Sequence, residues 1–349
     1  MYNITIYIAL KKQKRRSIFL VTKPFLSIAA QCSKRTECMT DNFYINGALP
    51  QAGSVPSHKA VSKDVRARLG VFAVADGFGT GNDAENAAHK ALSILRKFHE
   101  KMGNVSLEAI GSVVDAYAEE ANHYMQSLGG DVGASVAMLI INNGVATAVN
   151  TGSARVYSFK YGRLNRLSID DTKAQQLLNV GAIRREEAMT HPSRRELTGA
   201  LGKPLSVQGG RLHMSSPTPV ENGDIYLICS NGITDYLSDD RISYILSLHM
   251  SNERLSQRLV SEAVARGADD NLSVIIVRSG KNRKPGLINK GLVKGAAVVI
   301  ALAILAAYLL SRPLRKPAGS GEVQPTATPS ATPHSVLSPP QANDEFELR

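Results

Sequence analysis

The alternation of apolar and polar positions divides the chain into short strands and a few longer helices. The predicted strands are Asn42–Ile45, Val71–Ala75, Ser135–Ile141, Ala146–Asn150, Arg155–Phe159, Ile225–Cys229 and Leu272–Val277. The predicted helices are Asn82–Lys101, Ser106–Leu128, Lys173–Asn179, Asp240–Met250 and Glu253–Arg266. Segment Gly47–Leu69 is predicted to be a long loop without an element of its own.

Several strands are separated only by turns, such as Asn142-Asn143-Gly144 and Tyr161-Gly162. Tight turns between strands produce antiparallel pairs, whereas parallel strands need long crossover connections. The strands are grouped together and so are the helices, which predicts a layered fold of the α+β class.

An apolar run near the C-terminus predicts one transmembrane helix over residues 295–311. Residues Gly295 to Leu310 are all glycine, apolar or tyrosine, and Lys294 and Arg312 close the run. The alternative is a buried core helix, but residues 312–349 form a Pro/Ser/Thr-rich tail that is predicted to be disordered and could not cover it. Five basic residues precede the run closely and three follow it, which favours a cytoplasmic domain with the tail outside.

The net charge of +11 lies in the flanks of the chain. Residues 1–35 hold eight Lys and Arg and no acid, whereas residues 36–277 hold 23 basic and 26 acidic residues, which gives −3. With no Trp and few aromatic residues, nucleic acid is excluded as a partner and a membrane surface is favoured. Residues 1–22 are interpreted as a basic extension, 23–279 as the globular domain and 280–294 as a basic juxtamembrane linker.

The segment around Asp76 carries the sharpest local signal. Gly79-x-Gly81-x-x-Ala84 matches a loose dinucleotide fingerprint, but the helix after it is followed by another helix, where that unit needs a parallel strand. A calcium-binding loop does not fit, because its third and twelfth positions lack oxygen ligands. Two alternatives remain open from the residues themselves, a capped strand-to-helix turn and a metal-ligating Asp76.

Two other acids stand where a strand begins, Asp41 before Phe-Tyr-Ile and Asp270 before the last strand. Hard cations such as Mg²⁺ and Mn²⁺ prefer several oxygen ligands, so one aspartate would not be enough. We expect a β-sheet core to present these three carboxylates at one edge.

Seven motifs then follow one another in a known order. They begin at Asp41 (DNFYING), Ala73 (AVADGFG), Gly133 (GAS), Asn150 (NTGSARVY), Leu197 (LTGALG), Cys229 (CSNG) and Asp269 (DDNLSV). Together, over residues 25–278, they resemble the metal-dependent protein phosphatases (PPM family, type 2C) in their bacterial form. The resemblance implies a four-layer α-β-β-α sandwich with mostly antiparallel sheets, which accords with the predicted layers.

The resemblance also implies a chemistry and its ligands. In that family two Mn²⁺ or Mg²⁺ ions activate a water that attacks phosphoserine or phosphothreonine. Asp76 would be the bridging ligand and Gly77 a ligand through its carbonyl, with Asp270 at the first metal and Asp41 at the second. Arg35 would be the catalytic, phosphate-binding residue, with Lys34 as the alternative.

The chain departs from the family pattern at three places. Asn231 stands where the family has a metal-binding aspartate, Ser153 stands where it has another, and Met39-Thr40 replaces Asn-Glu. The resemblance assigns Asn231 and Ser153 to the first-metal side and to a third, weaker metal. Neutral oxygens there should weaken the binding of divalent cations.

These observations leave two functions open. The first is a membrane-tethered Ser/Thr phosphatase with weakened affinity for metal. It would act on the phosphorylated substrates of a Ser/Thr kinase. The second is a pseudophosphatase that binds a phosphoprotein or a signalling partner without turnover.

Overall fold

The described chain forms two compact units. The structure, a computed structural model, describes residues 25–33, 39–52, 61–66, 68–80, 82–205, 211–280, 299 and 301–308. The first unit spans Met1–Leu287 and the second spans Ile288–Arg349.

Two antiparallel sheets form the centre of the first unit. Their strands are β1 (Phe25–Ser33), β2 (Asp41–Ile45), β3 (Val61–Arg66), β4 (Leu69–Phe78), β5 (Gly133–Asn142), β6 (Val145–Thr151), β7 (Arg155–Lys160), β8 (Arg163–Arg166), β9 (His213–Met214), β10 (Thr218–Pro219), β11 (Ile225–Cys229) and β12 (Leu272–Ser279). The first sheet has the order β3-β1-β12-β11-β7-β8. The second has the order β10-β6-β5-β4-β2, and β9 also pairs with β6.

Helices cover the outer faces of both sheets. They are α1 (Asn82–Gly103), α2 (Ile110–Ser127), α3 (Lys173–Asn179), α4 (Arg185–Ala188), α5 (Asn231–Thr234), α6 (Asp239–Ser247) and α7 (Asn252–Ala265), with a 3₁₀ turn at Pro192–Arg195. Serine side chains cap two of them, since Ser238 accepts the backbone N–H of Arg241 and Ser251 accepts that of Arg254.

The side-chain alternation of β4 shows how the layers are built. Phe72 and Val74 point into the cluster between the two sheets, whereas Val71, Ala73 and Ala75 point into the cluster beneath α1 and α2. A third cluster lies between the first sheet and α6 and α7. The layer order is therefore helices, sheet, sheet, helices, and the predicted α+β class with antiparallel sheets is confirmed.

Five strands, β1, β3, β8, β9 and β10, lie where the sequence analysis predicted none. The interpretation of Gly47–Leu69 as a loop was wrong, because β3 occupies Val61–Arg66 at the border of the first sheet. Its Lys63, Asp64 and Arg66 are exposed, and such charged edge strands lack the apolar alternation that predicts a strand. Strand β1 was missed because small and polar residues alternate with its buried Leu26 and Ile28.

The strands of the sandwich end on two opposite sides, which we call edges. At the first edge, which we call the site edge, the Ser230 hydroxyl donates a 2.8 Å hydrogen bond across the sheets to Asp41 Oδ2. At the second, which we call the far edge, Leu26 of β1 pairs with Ser279 of β12, and the β7–β8 turn at Tyr161 reverses the chain. Each antiparallel strand therefore runs between the two edges.

The second unit is described at residues 299 and 301–308, which are helical. The predicted membrane span over 295–311 falls only partly on these residues. Within the described part of the chain, no helix has both the length and the apolar character needed to cross a membrane.

A buried ion pair fixes the start of β7. Arg155 donates to both carboxylate oxygens of Asp170, and its closest contact is 2.6 Å from Nη2 to Oδ2. Both side chains are largely buried, and Arg166 lies 3.5 Å from the same carboxylate. A charge that is buried away from water is stabilised by its oppositely charged partner. Removal of one partner should therefore lower the stability of the fold.

We predict that Asp170→Asn destabilises the protein by about 3 kcal/mol or more, because it leaves the Arg155 guanidinium buried without an anion. Glu187→Gln is the matched control, since its ion pair with Arg184 is exposed and glutamine also serves in a capping box. Chemical denaturation of both variants measures the difference. Equal stability of the two variants would contradict this account of the fold.

Candidate metal centre

A pair of aspartates on neighbouring strands forms the base of the candidate centre. Asp41, the first residue of β2, lies directly opposite Asp76, near the end of β4. Asp41 is buried and Asp76 is half-buried. The antiparallel register thus places two carboxylates beside each other at the site edge.

The first sheet contributes Asn231 and Asp270 from the other side of the same edge. Asn231 follows β11 and Asp270 precedes β12, and these two strands are paired. The Asn231 side-chain N–H donates to Asp270 Oδ2 at 3.5 Å. The Asn271 side chain donates to Thr40 Oγ1 at 3.0 Å, which ties this turn to the residue before Asp41.

Gly77 brings the backbone of β4 close to the first turn of α1. A Cβ atom on Gly77 would lie 1.8 Å from the carbonyl oxygen of Ala84, so a side chain does not fit there. The Gly77 N–H donates to the Thr40 carbonyl at 3.0 Å. The sequence therefore needs glycine at this position for packing, whatever its carbonyl binds.

The ionised forms of the aspartates in the candidate centre are disfavoured. Burial raises the pKa of Asp41 to about 7, and repulsion from Asp270 adds to the rise. Burial also raises the pKa of Asp76 well above its ordinary value, and repulsion from Asp41 and Asp270 follows as the next cause. Burial raises the pKa of Asp270 too, although the Asn271 N–H opposes this rise by donating to it.

The available oxygens fit a hard cation. Asp41 Oδ1 and Asn231 Oδ1 are buried and have no hydrogen-bond partner in the described part of the chain. A divalent cation would satisfy these atoms and offset the repulsion between the carboxylates. Within the described ranges, no group of three or more His, Cys, Asp or Glu side chains lies in an arrangement that could hold a metal ion. The structure thus brings the predicted ligands together as two pairs, Asp41 with Asp76 and Asn231 with Asp270.

Ser153 lies beside this centre on the β6–β7 turn. Its hydroxyl is 3.5 Å from that of Ser135, whose backbone pairs with Asp76. Gly152 adopts a φ of 79°, and a Cβ atom there would lie 2.2 Å from Ser135 Oγ. The turn therefore requires glycine, and it fixes Ser153 one strand away from the Asp76 position.

The predicted phosphate-binding Arg35 and its alternative Lys34 lie outside the described residues. A cavity of about 410 Å³ opens beside Ser153 and Asn231, and Leu178 and Asp235 also line it. Its volume suits a side chain or a short peptide segment.

The sequence analysis missed a polar cluster next to Asp270. Arg195 donates to Asp235 at 2.6 Å and to Asp269 at 2.9 Å, and the Tyr236 hydroxyl donates to Asp269 at 2.6 Å. Arg195 is 40 residues from Asp235 and 74 from Asp269 in the chain, so no local pattern reveals this contact.

Comparison with known proteins agrees with this geometry. The chain is 26% identical over 222 residues to the serine/threonine phosphatase stp of Listeria monocytogenes, which covers 61% of this chain and 86% of that protein. It is 29% identical over 232 residues to the serine/threonine protein phosphatase PstP of Mycobacterium tuberculosis, which covers 64% of this chain and 43% of that protein. No family model matches the chain.

Solved structures show the same fold. The structure of Mycobacterium tuberculosis PstP/Ppp superposes with a TM-score of 0.59 at 21% identity, covering 74% of this chain and all of that one. The PstP catalytic domain in complex with two manganese ions gives a TM-score of 0.57 at 20% identity, with the same coverage. The chain is similar to the bacterial PPM-type phosphatases.

The PPM resemblance predicted from the motifs is thereby confirmed. The role of each predicted ligand remains a prediction, since the relatives' names identify no residue. At the Asn231 position, where the PPM pattern has aspartate, the amide donates a hydrogen bond to Asp270. An aspartate carboxylate has no proton to donate there when it is ionised. Asn231 therefore lowers the repulsion that the PPM pattern would create.

We predict that Asp76→Asn stabilises the metal-free protein at pH 8, because it removes one of the mutually repelling carboxylates. The pKa values of these groups are raised in the folded state, so that state binds more protons than the unfolded chain between about pH 4 and pH 7. Stability contributed by these groups therefore falls as the pH rises through that range. The melting temperature in EDTA at pH 5 and pH 8 measures the effect.

Asp64→Asn, on the exposed face of β3, serves as the control and should change neither melting temperature. Addition of Mn²⁺ should raise the melting temperature of wild type but not of Asp76→Asn. Lower stability of metal-free Asp76→Asn at pH 8 would contradict the repulsion between the carboxylates.

Proposed function

We propose that this protein is a metal-dependent phosphatase that hydrolyses phosphoserine and phosphothreonine in proteins. The observation that carries the proposal is the Asp41–Asp76 pair at one edge of a PPM-type sandwich, with oxygens on Asp41 and Asn231 that have no hydrogen-bond partner among the described residues. The names of the relatives support the same activity, and one neighbour binds two manganese ions.

The residues of the centre have distinct tasks in this proposal. Asp41, Asp76, Asp270, the Gly77 carbonyl and Asn231 would hold two Mn²⁺ or Mg²⁺ ions, which supply an activated water and offset phosphoryl charge when bound. Ser230 holds one oxygen of Asp41 through its hydroxyl and thereby leaves the other oxygen free.

The substrate would reach the centre from the cavity beside Asn231 and Ser153. Arg35 is proposed to bind the phosphate group, as the PPM resemblance implies. The phosphoprotein would be the product of a Ser/Thr kinase, because that enzyme class creates the bond that is hydrolysed here.

We predict that Asn231→Asp increases the affinity for Mn²⁺ and raises phosphopeptide turnover. A new carboxylate beside Asp270 attracts the cation and keeps the shape of the side chain. A tenfold gain in turnover would correspond to about 1.4 kcal/mol of transition-state stabilisation. Without metal the same variant should be less stable than wild type, because it loses the donor to Asp270 and adds repulsion.

Two controls separate this charge effect from others. Asn104→Asp adds the same charge on an exposed loop and should change neither binding nor turnover. Asn231→Ala removes the amide without adding a charge and should not increase either. Wild-type protein that binds Mn²⁺ and hydrolyses no phosphopeptide would contradict the enzymatic proposal and support the pseudophosphatase instead.

We also propose that a helix over residues 295–311 tethers the phosphatase domain to a membrane as a single-pass anchor, with the domain cytoplasmic and the tail outside. Several large apolar side chains of the described part are exposed, including Leu302, Ile304 and Leu305. An exposed apolar helix of this kind needs lipid or a partner to cover it. The charge distribution around the run supports the proposed orientation.

The tether predicts that the full chain stays in the membrane fraction after an alkaline carbonate wash. Arg substitution of both Leu302 and Leu305 should release it, because each Arg at the centre of a span costs about 2.5–3.5 kcal/mol on the insertion scale. A reporter fused after Arg349 should be active outside the cytoplasm, and one fused after Gly280 inside. Wild type in the soluble fraction without detergent would contradict the span.

A further inference from the structure

Both described ends of the first unit lie at the far edge. Strand β1 begins at Phe25, and its Leu26 pairs with Ser279, the last residue of β12. The other end of β12 is Leu272, seven residues or about 23 Å from Ser279 at the rise of a strand, and Asp270 lies two residues before Leu272. The chain therefore enters and leaves the sandwich on adjacent strands, on the side opposite the candidate metal centre.

The sequences on either side of these described ends are strongly basic. Residues 1–24 contain six Lys and Arg and no acid, and residues 281–294 contain five and no acid. Between them, residues 36–277 are slightly acidic. Both flanks are joined to neighbouring strands at this edge, through Phe25 of β1 and Ser279 of β12.

The described surface of the far edge presents groups suited to a lipid headgroup layer. Tyr161, in the β7–β8 turn, is 81% exposed and donates a hydrogen bond to Glu221. Arg163 beside it is exposed, as are Arg66 and Arg68 farther along the edge. Tyrosine combines an apolar ring with a polar tip, and arginine pairs with phosphate.

We infer that the far edge, defined by Arg66, Arg68, Tyr161 and Arg163, docks on an anionic lipid bilayer. The charge of the flanks and the exposed tyrosine carry this inference, which rests on the proposed tether only for bringing the domain close to a membrane. The docked domain holds its site edge away from the lipid, so that the cavity beside Asn231 stays open to phosphoproteins.

The absence of tryptophan from the sequence makes a direct test available. Tyr161→Trp gives the full chain a single tryptophan, at the far edge, whose fluorescence can be excited selectively. Val180→Trp is the matched control, because Val180 is 77% exposed and ends the helix that lines the cavity beside Asn231. Each variant is reconstituted into phosphatidylcholine vesicles with and without phosphatidylglycerol, and nitroxide-labelled lipid headgroups quench the fluorophores within reach.

We expect nitroxide quenching of Tyr161→Trp to be about threefold stronger than that of Val180→Trp in the anionic vesicles, and to fall in about 0.5 M NaCl because salt screens the attraction. Reversal of Lys11, Arg15 and Arg16 to Glu in the Tyr161→Trp protein should reduce the quenching. Equal quenching of the two fluorophores, or quenching that is independent of phosphatidylglycerol, would overturn the inference.

Two further readouts keep this inference separate from the proposals above. Carbonate extraction of the same vesicles tests whether the chain spans the membrane, and phosphopeptide hydrolysis tests the enzymatic activity, so either can fail while the docking result stands.

A single-stranded polynucleotide, poly(U), is the competing polyanion. A change in Tyr161→Trp fluorescence with poly(U) and none with anionic vesicles would overturn the lipid assignment.

Discussion

The repulsion between the buried Asp41 and the half-buried Asp76 and Asp270 at one edge of the sandwich is the constraint on which the proposed function depends. The register of β2 and β4 places Asp41 beside Asp76, and the pairing of β11 with β12 brings Asn231 and Asp270 to the same edge. Burial raises the pKa of each of these aspartates. A protein that keeps such a group loses stability unless a proton or a cation compensates the charge.

The fold supplies the rigidity that this arrangement needs. Ser230 connects the two sheets through Asp41, and Gly77 allows α1 to approach the end of β4. The core clusters on both faces of the sheets hold these strands in register. The candidate centre thus lies on strand ends that packing fixes, while the cavity beside it is bounded by shorter helices.

Much of this arrangement could be predicted from the sequence, because strand alternation and strand-end acids are local patterns. Asp41, Asp76 and Asp270 were expected at one edge, and the register confirms that Asp41 and Asp76 are neighbours. Their roles as ligands, and that of Arg35, remain predictions. Contacts that cross the sandwich, such as Ser230 with Asp41 over 189 residues, leave no pattern in the sequence. The charged edge strand β3 was missed because its polar residues face solvent.

The measurement that tests the central claim most directly is the number of protons released when Mn²⁺ binds. Calorimetric titrations at pH 6.5 in two buffers with different ionisation enthalpies give this number. The account predicts that Mn²⁺ binds wild type and displaces protons from the coupled carboxyls, and that Asp76→Asn loses most of both effects. Wild type that binds no Mn²⁺, or that binds it with no proton release, would contradict the account.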